Sequence, residues 1–142
     1  MVTKIQVEFP VALIVEPHDA LRAALRAWIE TPTPMVSVLE ANCLKDALEI
    51  LAATAVDVVL MDMCAPGMNG IEGIRAIRNS APATSVVICS LLDDTVYVDA
   101  ARAAGALAFV SKRRIAEDLL PVLCNIASLR SSLGGANAEC GT

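Results

Sequence analysis

The sequence predicts a doubly wound α/β fold: a parallel sheet of five strands with helices on both faces. Three observations carry this. Short apolar runs rich in β-branched residues alternate with segments whose apolar residues recur every three or four positions, in the order β-α five times over. The strand runs are apolar at nearly every residue rather than at alternate ones, as strands covered on both faces require. Parallel neighbours also need crossover connections, and right-handed crossovers distribute the helices over the two faces.

The elements follow in order. Val11 to Val15 reads as β1. The stripe Leu21, Ala24, Leu25, Trp28 and Ile29 defines α1, which stops before Thr31-Pro32-Thr33-Pro34, because proline lacks the amide a helix interior needs. Met35 to Leu39 reads as β2, and Asn42 stands where it can cap α2, whose apolar face is Leu44, Ala47, Leu48 and Leu51. Asp57 to Met61, apolar after its first residue, is the best central strand, β3. Ile71, Ile74 and Ile77 mark α3, and Ser85 to Cys89 is β4. Val96, Ala100, Ala101 and Ala104 give α4, ended by Gly105, a residue that tolerates the left-handed conformation of a helix stop. Leu107 to Val110 is β5, and Ile115 to about Arg130 is α5.

At 142 residues the chain suits one domain, placed at 11–130. Residues 1–10 read as an N-terminal extension. Residues 131–142, rich in Ser, Gly, Ala and Asn, read as a disordered tail or the start of a linker, too short for an output domain. The composition is 56% hydrophobic and 19% charged, with much of the apolar share alanine. No run reaches the 18 or so apolar residues of a membrane span, and Glu8 interrupts any signal-peptide core. The expectation is a cytoplasmic protein. Five cysteines, odd in number and without a C-x-x-C pair, read as reduced thiols. A net charge of −5 argues against direct binding to a phosphate backbone.

In doubly wound sheets the working groups gather beyond the carboxyl ends of the strands. Here Glu16, Pro17, His18 and Asp19 follow β1; Asp62, Met63 and Cys64 follow β3; Ser90 follows β4; Ser111 and Lys112 follow β5. Two carboxylates, a hydroxyl and an ammonium are thus brought to one edge. Crowded carboxylates raise one another's pKa unless a cation joins them, so a hard, oxygen-liganded metal such as Mg²⁺ is expected there.

These residues carry a family resemblance. Val11-Ala-Leu-Ile-Val-Glu-Pro-His18, Asp57-Val-Val-Leu-Met-Asp62-Met-Cys-Ala-Pro66-Gly-Met-Asn-Gly70, and then Ser90, Phe109 and Lys112 resemble the CheY-like (flavodoxin-like) receiver domain of two-component response regulators. The likeness covers roughly Val11 to Arg130. The histidine after the β1 acid is similar to the LuxR/NarL-type subfamily, whose receivers usually precede a helix-turn-helix DNA-binding domain. The resemblance implies that Asp62 accepts a phosphoryl group from a sensor histidine kinase or phosphotransfer protein. It implies that Glu16, Asp62 and the backbone carbonyl of Cys64 hold Mg²⁺, and that Lys112 pairs with the phosphoryl oxygens. Ser90 and Phe109 would form the switch that rearranges the α4-β5-α5 face, with homodimerisation through a helix face also implied.

One departure stands out. The family usually places two adjacent acids after β1, and the second, commonly a direct metal ligand, is Pro17 here. Proline offers neither side-chain oxygen nor amide hydrogen, so metal affinity is expected to fall. Cys64, Ala65 and Asn69 are smaller departures. Two other readings follow: a degenerate pseudo-receiver serving as a phosphorylation-independent interaction module, and a flavodoxin-like flavin binder, against which the shortage of aromatics speaks.

The remaining residues have ordinary readings. His18 starts α1 rather than binding a metal, since there is no second histidine. Trp28 and Tyr97 belong to packing, and Asp93 and Asp94 to the cap of α4. Arg113 and Arg114 belong to a solvated helix start. Cys64 and Cys89 lie near the pocket without an evident activating neighbour, and Pro66 to Gly70 is no dinucleotide fingerprint.

Overall fold

All five apolar runs become strands of one parallel sheet in the order β2-β1-β3-β4-β5. The structure, a computed structural model, describes residues 11–30, 37–65 and 67–133. The strands are β1 (Val11–Val15), β2 (Ser37–Ala41), β3 (Val58–Met61), β4 (Ser85–Ser90) and β5 (Ala108–Ser111). The helices are α1 (Asp19–Glu30), α2 (Leu44–Ala53), α3 (Gly70–Ser80), α4 (Thr95–Ala104) and α5 (Ile115–Leu133), the last entered through a 3₁₀ turn at Lys112–Arg114. The strand order grows outward in one direction from β1 to β2 and in the other from β1 to β3. The switch point that favours a site therefore lies between β1 and β3.

Because successive strand side chains point to opposite faces, each strand feeds two cores. Leu13, Val15, Val59, Met61, Val86 and Ile88 pack with α2, α3 and α4. Ala12, Ile14, Val58, Leu60, Val87, Cys89 and Val110 pack with α1 and α5 through Leu25, Ile29, Ile115, Leu119 and Ile126. This explains why the strands lack a period-two pattern: both faces are dry.

Several boundaries differ from the sequence reading. β2 begins at Ser37, paired with Val11, and runs on to Ala41, while Met35 lies outside the described residues. Since β2 extends that far, the chain turns within Asn42 and Cys43. Cys43 rather than Asn42 therefore caps α2, its Sγ accepting from the Asp46 amide at 3.5 Å. In α1 the buried ridge is Leu25 and Ile29, whereas Ala24 and Trp28 face solvent, because the helix meets the sheet along an i, i+4 line narrower than the stripe. The α4 stripe is rotated: Ala101 and Ala104 are buried and Tyr97 packs on the core, but Val96 is 75% exposed. Asp94 occupies the cap position of α4 and makes no side-chain cap bond, and Asp93 spends its carboxylate elsewhere. Gly105 ends α4 with φ +116°, as expected. α5 continues to Leu133, three residues past its expected end; residues 1–10, Pro66 and 134–142 lie outside the described residues.

Candidate functional site

Glu16 emerges from β1 still in sheet register, its amide donating to the Ala41 carbonyl at 3.0 Å. The residue is buried, at 4% exposure, so the carboxylate needs partners. The His18 amide supplies one, donating to Oε2 at 3.1 Å, and Lys112 Nζ supplies the other at Oε1, 3.0 Å away. Pro17 turns the chain between them. His18 then closes the N-terminus of α1, its Nδ1 accepting from the Leu21 amide at 3.2 Å, so it is a helix start as its position suggested. Arg22, one turn further along α1, donates from Nη1 to the Glu16 carbonyl at 2.7 Å and pairs with Glu40 and Asp19.

Asp62 follows β3 directly. Its Oδ1 accepts from the Cys64 amide at 2.9 Å, and its Oδ2 lies 2.9 Å from Lys112 Nζ. One ammonium therefore bridges two carboxylates contributed by neighbouring strands. Burial alone would push the Lys112 pKa down. The hydrogen bonds to Asp62 and Glu16 outweigh it, and the ammonium is held above the ordinary lysine value.

Ser90, the last residue of β4, is 1% exposed. Its Oγ accepts from the Leu92 amide at 3.1 Å and also contacts the Cys64 thiol, which ties it to the Asp62 loop. Phe109 is half-buried and packs on the core beneath α2, α3 and α4. The register pairs Ile88 with Phe109 and Ser90 with Ser111, so Phe109 stands one pleat behind Ser90. Glu16, Asp62 and Lys112 are thus in direct contact, Ser90 joins them through Cys64, and Phe109 lies on the adjoining core face. Two groups carried no motif and escaped the sequence reading: Arg22, which grips the Glu16 backbone, and the contact of Asp93 with Ser111 and Arg113.

The donor set suits a hard cation in part. Glu16 and Asp62 offer carboxylate oxygens, Cys64 is placed beside them by the hydrogen bond from its amide to Asp62, and Pro17 offers no side-chain oxygen. Among the described residues no three His, Cys, Asp or Glu side chains come together. Two carboxylates are nonetheless the usual protein contribution to a Mg²⁺ ion, which keeps several waters.

Cys89 is buried behind this edge, and burial pushes its thiol up to about 12. A raised thiol pKa stabilises the neutral form in the fold. Stability from this group is therefore full below the ordinary thiol pKa of about 9 and declines between there and about 12, as the unfolded thiol ionises first. Iodoacetamide at pH 8 is expected to leave Cys89 unmodified until urea unfolds the chain; peptide mapping that finds it alkylated in the native protein would contradict this burial.

A five-stranded parallel sheet with its carboxylates and lysine at the switch point defines the class of doubly wound receivers. The family model described as the response regulator receiver domain matches residues 12–123, and the chain belongs to that family, the receivers of two-component systems. "Response regulator UvrY" of Escherichia coli O6:H1 is 31% identical over 116 residues, covering 82% of this chain and 53% of that protein. Among solved structures, a two-component response regulator of the LuxR family from Aurantimonas sp. SI85-9A1 is 28% identical, with a TM-score of 0.71, and covers 91% of this chain and 88% of its own. The signal receiver domain of an HD domain-containing protein from Pseudomonas fluorescens Pf-5 shares the fold at TM-score 0.79 and 22% identity, over 90% of this chain and 93% of its own. The chain spans about half the length of the curated relatives it matches. Among the described residues no helix is long and apolar enough to cross a membrane. Family membership leaves the flavin-binding alternative without support, and nothing in the relatives supports the pseudo-receiver one.

Proposed function

We propose that this domain is a phosphorylation switch whose acceptor is Asp62. The observation that carries the reading is the Lys112 ammonium held 2.9 Å from Asp62 Oδ2 and 3.0 Å from Glu16 Oε1. A carboxylate already paired with a cation, and oriented by the Cys64 amide, is a positioned nucleophile. Its oxygen attacks the phosphorus of a phosphohistidine on a histidine kinase or phosphotransfer protein. The new P–O bond forms as the P–N bond breaks, and the imidazole leaves. The domain is modified on its own side chain and turns over no external substrate. Glu16, Asp62 and the Cys64 carbonyl would hold Mg²⁺, which would neutralise charge on the phosphoryl oxygens when bound. Lys112 follows the charge onto those oxygens as a point cation. Ser90 gives up its bond to the Leu92 amide to donate to the phosphoryl group, and Phe109 turns into the space it leaves. These movements alter the α4-β5-α5 face, where Leu91, Leu92 and Val96 are already exposed.

The matches to response regulators, one of them a transcriptional regulatory protein of Bacillus subtilis, support reading this receiver as the switch of a transcription regulator. The direct test is exposure to acetyl phosphate with Mg²⁺ followed by mass spectrometry. A hydroxylamine-labile phosphoryl group on the Asp62 peptide is expected; an unmodified protein would contradict the reading. The missing ligand gives a second test. Pro17→Asp adds a carboxylate beside Glu16 and is expected to tighten Mg²⁺ binding by calorimetry about tenfold or more. Unchanged affinity would exclude position 17 from the metal's surroundings.

A further inference from the structure

We propose that Asp93 is a positioning residue that aims Lys112 at Asp62. This rests on the phospho-acceptor reading for its purpose, but its geometry stands independently. Lys112 opens a 3₁₀ turn, Lys112–Arg114, and short 3₁₀ turns hold their shape poorly unless capped. The cap is Ser111, whose Oγ accepts from the Arg113 amide at 3.2 Å. A serine hydroxyl swings freely unless its own hydrogen is engaged. Asp93 engages it: Ser111 Oγ donates to Asp93 Oδ2 at 2.5 Å, leaving the lone pairs directed at the Arg113 amide. Arg113 Nη1 donates to both oxygens of the same carboxylate, at 3.0 and 3.1 Å. Asp93 therefore holds the residues on either side of Lys112 and fixes the turn from which the ammonium extends.

Asp93 reaches this position from the loop that begins with Ser90. Ser90 is followed by Leu91 and Leu92, both exposed, and lies three residues before Asp93, so a single short segment carries the hydroxyl at the acceptor edge and the carboxylate at the lysine turn. The side chain is not spent on α4, whose cap position is Asp94. Its carboxyl group is held below the ordinary aspartate range, by the Ser111 hydroxyl first and by Arg113. The Arg113 side chain is 65% exposed, so its ion pair with Asp93 contributes little by itself; the shorter Ser111 bond is the one that orients the turn.

The test compares Asp93→Ala, Asp93→Asn and Ser111→Ala with the parent full chain by amide-resolved NMR. Without any added ligand, Asp93→Ala and Ser111→Ala are expected to shift the Ser111, Lys112 and Arg113 amides and to speed hydrogen exchange at Arg113. Asp93→Asn keeps an acceptor and is expected to stay near the parent. With Mg²⁺ and beryllofluoride, a phosphoryl mimic, Asp93→Ala is expected to bind roughly fivefold more weakly, the scale of one misplaced hydrogen bond, while Asp93→Asn stays within about twofold. The urea midpoints are expected to match, which separates positioning from a loss of stability. Parent-like exchange and affinity in Asp93→Ala would overturn the proposal, as would tighter binding, which would make the contact a restraint instead. A parent that ignores beryllofluoride would sink the phospho-acceptor reading, and the exchange data would still decide the role of Asp93.

Discussion

Asp62→Ala is expected to abolish labelling by acetyl phosphate or by a partner kinase while leaving the protein folded. The variant removes the only proposed acceptor oxygen, so no slower route remains. Its stability cost is small because Lys112 keeps its bond to Glu16 Oε1 and the Cys64 amide faces a loop open to water. A change of no more than about 1.5 kcal/mol is expected from urea unfolding. Persistent labelling of a well-folded variant would show that the phosphoryl group goes elsewhere and would remove Asp62 from the account.

Gly73→Ala is expected to cost about 3 kcal/mol or more, although the same change in an ordinary helix stabilises by about 1 kcal/mol. Gly73 lies inside α3 with helical backbone, so the reason is contact rather than conformational freedom. A Cβ there would sit 1.9 Å from the Met68 carbonyl oxygen and 3.1 Å from its carbon. Both are backbone atoms of the loop that descends from Asp62. That loop cannot swing away without lifting Met68, which is fully buried. The reversed sign makes urea unfolding decisive: a variant as stable as the parent would mean that the loop does not lie against α3 as described. The displaced loop is also expected to weaken the beryllofluoride response, since Cys64 orients the acceptor from it.

The order of elements, the sheet and the acidic edge were legible because each rests on a strong local signal. Continuous apolar strands, helical stripes and polar residues just past strand ends all survive without knowledge of tertiary contacts. Glu16, Asp62, Ser90 and Lys112 were found in this way. What escaped depended on three-dimensional competition. Val96 has the spacing of a core residue, yet the rotation of α4 is set by where Tyr97 and Ala101 meet the core, and that leaves Val96 outside. Asn42 is the better cap by propensity, but β2 reaches Ala41 and hands the cap to Cys43. Asp93 looks like half of a capping pair, and only the approach of β5 to the β4–α4 loop shows it bound to Ser111 and Arg113. Gly73 bears no mark in the sequence, because its constraint comes from a carbonyl folded back from Met68.

Whether Asp62, Lys112, Ser90 and Phe109 respond to a phosphoryl group as one unit despite Pro17 is decided by titrating the isotopically labelled protein with Mg²⁺ and then beryllofluoride. Saturable amide shifts at Asp62, Ser90, Phe109 and Lys112 that extend into α4 are the predicted result. A titration that reaches millimolar Mg²⁺ and excess beryllofluoride with those amides unmoved would contradict it.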